Sequence, residues 1–173
     1  MFYKMSNIYN DNDNGNSNDN GNSNYNKIIP SFSNYDISSF PKITVSITGT
    51  INTESDFEEF KQGWLNCYIE CDNKPFTFIF DTTNMGMVSA LYAYKMSYFI
   101  KEIKALNNKL LEKSIIVVNN KYIHGLLHMI FLIEKPIAPV YIIDDLNYAD
   151  ILYERLGFGS CFYDSTKATL IEP

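Results

Sequence analysis

What most constrains this chain is an alternation. From Lys42 to Leu156, four short apolar runs rich in β-branched and aromatic residues each give way to a segment of helical length and periodicity. The purest run is Ser114-Ile-Ile-Val-Val-Asn119, and Phe76-Thr-Phe-Ile-Phe80 and Val140-Tyr-Ile-Ile143 are nearly as apolar. Side chains along a strand point alternately to opposite faces, so a strand that is apolar at successive positions must be covered on both. Ile43-Thr-Val-Ser-Ile-Thr-Gly-Thr-Ile51 instead alternates apolar with polar residues, and is expected as a half-buried strand toward an edge.

The intervening segments carry the complementary signal. Ser55-Asp-Phe-Glu58 fits a capping box, and Phe57, Phe60, Trp64, Tyr68 and Cys71 then recur on one helical face. Asp72-Asn-Lys-Pro75 marks a turn. A long helix is expected from about Ser89 to Lys113, with Met96, Phe99, Ile103, Leu106 and Leu110 along its apolar face. Tyr122 to Ile133 predicts a short, very apolar helix stopped by Lys135-Pro136, and Asn147 to Leu156 a last one closed by Gly157. Strand followed by helix four times over predicts an α/β fold: a small, mostly parallel sheet of four to five strands covered by helices.

Ahead of this lies a different composition. Asn7 to Asn26 is almost entirely Asn, Asp, Gly and Ser, too poor in apolar surface to offset the entropy of ordering. Residues 1–39 are therefore read as a disordered, low-complexity leader, and 40–173 as one domain. Three cysteines, Cys67, Cys71 and Cys161, make no disulfide framework and suit a reducing compartment. Neither a secretory signal nor an apolar stretch near the ~20 residues of a membrane span is evident, so a soluble cytoplasmic protein is expected. The net charge of −6 and the scattered lysines argue against nucleic acid, and against electrostatic docking on anionic lipid.

On these residues the segment from Ile43 to Leu156 resembles the STAS/SEC14-like group, most closely its small SpoIIAA-like branch. The features that carry the resemblance are Gly49-Thr-Ile-Asn-Thr after the first strand and Asp56-Phe-Glu-Glu at the first helix. They continue with Phe78-Ile-Phe-Asp81, Ile115-Ile-Val-Val118 and Asp144-Asp-Leu-Asn-Tyr-Ala149. The resemblance implies a binding module. Two departures stand out: Asn84-Met-Gly-Met-Val-Ser89 lacks the Asp-Ser pair of the phosphoswitch regulators, and Asn119-Asn-Lys121 lacks the proline of the lipid-transfer proteins.

Three constellations are candidates for function. In open parallel sheets ligands bind beyond the C-terminal strand ends, which here carry Asp81, Thr82, Thr83 and Asn84, then Asn119 and Asn120, then Asp144 and Asp145. Ser89 stands close by, with helix capping as its other role. His124 and His128 lie one helical turn apart, a spacing that can grip zinc, but Gly125 stands where the catalytic motif needs Glu and a third ligand, Glu134 for instance, must come from elsewhere. The third is the helix from Tyr122 to Ile133, whose surplus of apolar residues, Leu127, Ile130 and Phe131 among them, suggests the wall of a lipid pocket, a dimer interface or a face that touches a membrane surface.

These readings name no catalytic residue, cofactor or metal site. They place binding on Asp81, Thr83, Asn84, Ser89, Asn119, Asn120, Leu127, Ile130 and Phe131. The leading expectation is a non-enzymatic module that meets a protein partner or itself. A carrier of lipid or another apolar ligand is the alternative, and a metal-dependent enzyme using Asp81 and Asp144 a third.

Overall fold

The four apolar runs become the four central strands of one sheet. The computed structural model describes residues 32–106, 109–157 and 163–173; the readings of residues 1–31 and of Cys161 lie outside them. In chain order the elements are β1 (Ser33–Asp36), β2 (Lys42–Ile47), α1 (Glu54–Glu70), β3 (Phe76–Asp81) and α2 (Ala90–Ala105). They continue with β4 (Leu111–Val117), α3 (Lys121–Ile133), β5 (Val140–Ile143), α4 (Leu146–Gly157) and β6 (Thr169–Ile171).

Spatial order follows sequence order, β1-β2-β3-β4-β5-β6. The β2–β5 core is parallel, and β1 and β6 pair antiparallel on its flanks. When each strand crosses to its immediate neighbour with the same right-handed turn, the crossover helices collect on one face. Side chains of α1, α2 and α3 accordingly share one core with Val45, Phe78, Phe80, Ile116 and Ile142. The alternate strand residues Ile79, Ile115, Val117, Tyr141 and Ile143 meet Leu152 and Leu156 of α4 on the other face. That division is why the runs carry no polar alternation.

Aromatic packing anchors the larger core. Trp64 is 6% exposed, and its ring lies 4.9 Å from Phe78, 5.2 Å from Phe80, 5.9 Å from Phe99 and 6.0 Å from Phe60. Contacts at these separations add to the large area that each ring buries. Cys67 and Cys71 are buried free thiols, and burial pushes the Cys67 thiol up to about 12.

The structure corrects several expectations. The sheet is mixed and six-stranded, because β1 falls inside the stretch assigned to the leader and β6 was not foreseen. The β2 strand ends at Ile47, short of Ile51, and stands toward the edge as expected, with β1 alone outside it. The α1 capping box uses Thr53 and Asp56: Asp56 N–H donates to Thr53 Oγ1 at 3.2 Å, and Thr53 N–H to Asp56 Oδ2 at 2.9 Å. The α2 helix stops at Ala105, so Leu106 is its C-cap and Leu110 adjoins β4. At Gly63 of α1 a β-carbon would stand 2.3 Å from the Tyr35 ring, so the glycine seats Tyr35, whose hydroxyl donates to the Phe60 carbonyl at 2.8 Å. That contact secures β1 against the domain.

Candidate functional site

Under α2 and α3 the core is incompletely filled. A cavity of about 130 Å³ lies between the helices and the sheet, walled by Trp64, Phe80, Ile100, Leu127, Ile130 and Phe131 among others. Thr82 and Ser114 are the hydroxyl side chains of its wall that are not aromatic. The Thr82 hydroxyl is turned to the backbone, donating to the Val117 carbonyl at 2.6 Å. No carboxylate, amine or imidazole of the described residues lines the space. Such a space accepts an apolar guest and offers a charged one nothing.

Most polar residues singled out at the strand ends are engaged locally. Asp81 Oδ1 accepts from Thr83 N–H at 3.0 Å and Thr83 Oγ1 at 2.6 Å. Ser89 caps α2, accepting from Leu91 N–H at 3.2 Å, and Asn120 caps α3, accepting from Tyr122 N–H at 2.8 Å. Asn84 and Asn119 are exposed. Asp145 Oδ1 accepts from Asn147 N–H at 2.9 Å. With Asp144 and Lys167 it borders a separate hollow whose lining does not include Asp81. Among the described residues no three His, Cys, Asp or Glu side chains gather to hold a metal, and Glu134 is paired with Lys104 at 2.6 Å.

The α3 helix divides its residues differently from the sequence expectation. Ile130 (7% exposed) and Phe131 (9%) point into the cavity, and Leu127 is half-buried at its wall. The outward stripe is Lys121, His124, His128 and Leu132, spaced three and four residues apart and all exposed. Leu132 stands 78% exposed, with Ile133 beside it at 48% and Tyr122, at the other end of the helix, at 40%.

A matching stripe on α2 was not anticipated. Leu91, Tyr94, Tyr98 and Lys101 are all exposed at the same spacing, with Met87 just ahead of the helix. Tyr94 and Tyr98 hydrogen-bond through their hydroxyls at 2.6 Å, and their rings lie 4.9 Å apart. Two ties hold the helices side by side. The Tyr122 hydroxyl donates to the Val88 carbonyl at their N-terminal ends, and Lys104 meets Glu134 at their C-terminal ends. The recurrence of Leu91, Tyr94 and Tyr98 was present in the sequence. It was hidden because the stronger inward stripe through Met96, Phe99 and Ile103 defined the helix.

Comparison with known proteins adds no relative: no protein-family model matches the chain, and no curated protein matches it. No helix among the described residues is long and apolar enough to cross a membrane.

Proposed function

We propose that this chain is a non-enzymatic binding module whose working surface is the outer face of α2 and α3. One observation carries the reading. Of the thirteen large hydrophobic residues that stand exposed among the described residues, eight are Met87, Leu91, Tyr94, Tyr98, Leu106, Tyr122, Leu132 and Ile133, all on or beside these two helices. Exposed apolar residues gathered on one pair of helices mark interaction sites more often than residues scattered singly do. The strand-end polar groups support the same reading from the other side, since Asp81, Ser89 and Asn120 serve their own turns and helix caps. The STAS/SEC14-like resemblance of the sequence implies a binding module as well.

Side-chain footprinting tests the proposal without knowing the partner. Tyr94, Tyr98, Tyr122, Lys101 and Lys121 are labelled in purified protein and again in whole-cell extract. Protection in extract confined to these residues, with Ile151 and Lys167 elsewhere unchanged, is the expected result. Equal labelling in both settings overturns it.

The cavity favours a second reading, that of a small apolar guest. Its volume is close to that of an engineered cavity elsewhere, about 150 Å³, which stays dry and takes up benzene. Drug-sized ligands need roughly 300 Å³ or more, so a lipid tail requires the helices to part. A rise in melting temperature with added indole, absent in a Leu127→Trp variant, checks this reading.

A further inference from the structure

The charge of the molecule is divided in a way that its total conceals. From residue 90 to residue 135 the sequence carries seven lysines, Lys95, Lys101, Lys104, Lys109, Lys113, Lys121 and Lys135, against three glutamates, Glu102, Glu112 and Glu134. That is a surplus of four positive charges in a chain whose net charge is −6. Of these lysines, Lys95 and Lys104 are held in ion pairs with Glu54 and Glu134, and Lys113 reaches the Leu156 carbonyl on the α4 side. Lys101, Lys121 and Lys135 are exposed and enter no ion pair among the described residues. Lys101 and Lys121 belong to the two outward stripes, and Lys135 follows α3. Glu102 is exposed beside Lys101, so outside the ion pairs this face sets three lysines against one glutamate; the face that holds most of the exposed apolar side chains among the described residues thus keeps a positive surplus in an acidic protein.

We infer that this face docks on an anionic bilayer surface; the inference rests on the reading of α2 and α3 as the working surface and names its partner. The first ground is charge complementarity. A leaflet rich in anionic lipid attracts basic residues within a Debye length, and the acidic remainder of the chain orients α2 and α3 toward it.

Shape is the second ground. Met87 and Leu132, at 72% and 78% exposure, stand out from the surface and line neither of the hollows described above. A rigid protein partner needs a pocket matched to each projection, whereas the headgroup region of a bilayer yields to them. The tyrosines form the third ground, because an aromatic ring with a polar tip is favoured at the membrane–water boundary. Tyr94 and Tyr98 lie between Leu91 and Lys101 along the outward stripe of α2. A net charge of −6 opposes anionic lipid only where it is evenly spread, and the fold separates it.

The test uses the full chain and sedimentation with unilamellar vesicles. One set is phosphatidylcholine with about 30% phosphatidylserine, the other phosphatidylcholine alone. Binding to the anionic set is expected, falling steeply as salt is raised from about 0.1 to 0.5 M. At about fivefold per lysine lost, the triple variant Lys101→Gln, Lys121→Gln, Lys135→Gln loses about a hundredfold in partitioning. Met87→Asn with Leu132→Asn, which leaves the charge unchanged, weakens binding at least tenfold, while Lys167→Glu retains it.

Absence of binding, equal binding to both vesicle sets, or full retention by the triple variant overturns the inference. If footprinting protection of Tyr94 and Tyr98 persists in extract cleared of membranes while vesicles fail to bind, the working surface stands and its partner is a soluble protein. If neither protection nor vesicle binding is seen, both readings fall.

Discussion

Replacing Ile130 and Leu132 in turn with Asp tests how α3 is seated, because the two positions lie two residues apart and face opposite environments. Ile130 is 7% exposed at the cavity wall, and Leu132 is 78% exposed on the outer stripe. Asp at 130 forfeits the burial of an isoleucine, about 1.5–3 kcal/mol. It also leaves a carboxylate facing apolar walls, at a cost of several kcal/mol more. A total near 5 kcal/mol is comparable with the whole stability of a typical domain. With a slope of about 2 kcal/mol per molar urea, the unfolding midpoint drops by about 2.5 M, or the variant fails to fold. Asp at 132 touches none of this, and a surface change of its kind stays within about 0.5 kcal/mol, or roughly 0.25 M. Trp64, the chain's single tryptophan, sits 6% exposed at the centre of the aromatic core and reports unfolding by its own fluorescence. Similar midpoint shifts for both variants would refute the inward placement of Ile130, and with it the outer face drawn across α2 and α3.

Other outcomes follow from details of the same structure. Thr53→Ala removes the α1 cap and is expected to lower stability by about 1 kcal/mol, whereas Ser55→Ala, at the position the sequence suggested, is near neutral; urea titration of both decides between them. The backbone N–H groups of Thr53 and Asn52, donating to Asp56, hold its carboxyl below the usual carboxylate range. The stability this contributes is present above the unfolded pKa of about 3.9 and is lost as pH falls through the lower folded value. Asp56→Asn therefore flattens the acid limb of the stability profile without abolishing it, since Asp36 and Asp164 are lowered in the same way by Ser38 and Thr166. Burial raises both the Cys67 and Cys71 thiols, so iodoacetamide at neutral pH leaves them unmodified in the folded protein and alkylates both in urea, as read by peptide mass.

The parts of the fold that the sequence disclosed are those where burial leaves a period. Apolar runs on both faces marked β3, β4 and β5, and the bounds of β5 agree to the residue. Elements whose ordering comes from elsewhere stayed hidden. The four residues Ser33-Asn-Tyr-Asp36 have no apolar alternation of their own; Phe32, at 2% exposure, and Tyr35 over Gly63 hold them in place. β6 is three residues long and pairs with Val140–Ile142, contacts that no local pattern encodes. The α2 helix was drawn too long because Leu106 and Leu110 continue its apolar period past Ala105, although Leu106 is exposed. At the site, apolar surplus on α3 was legible. Which residues carry it outward was not, because that depends on where the sheet lies beneath the helix.

The flanking strands have a further consequence for how copies of this protein coexist. Open sheet edges are templates on which another chain can add a strand. In this sheet the four parallel strands, the best templates, are all internal, and the edges are held by strands of four and three residues. On β1, Asn34 and Asp36 are exposed, and a carboxylate at such a position opposes stacking of like edges. The chain thus carries an asparagine-rich stretch, a composition prone to ladder formation between copies, immediately ahead of a sheet edge too short and too polar to seed it.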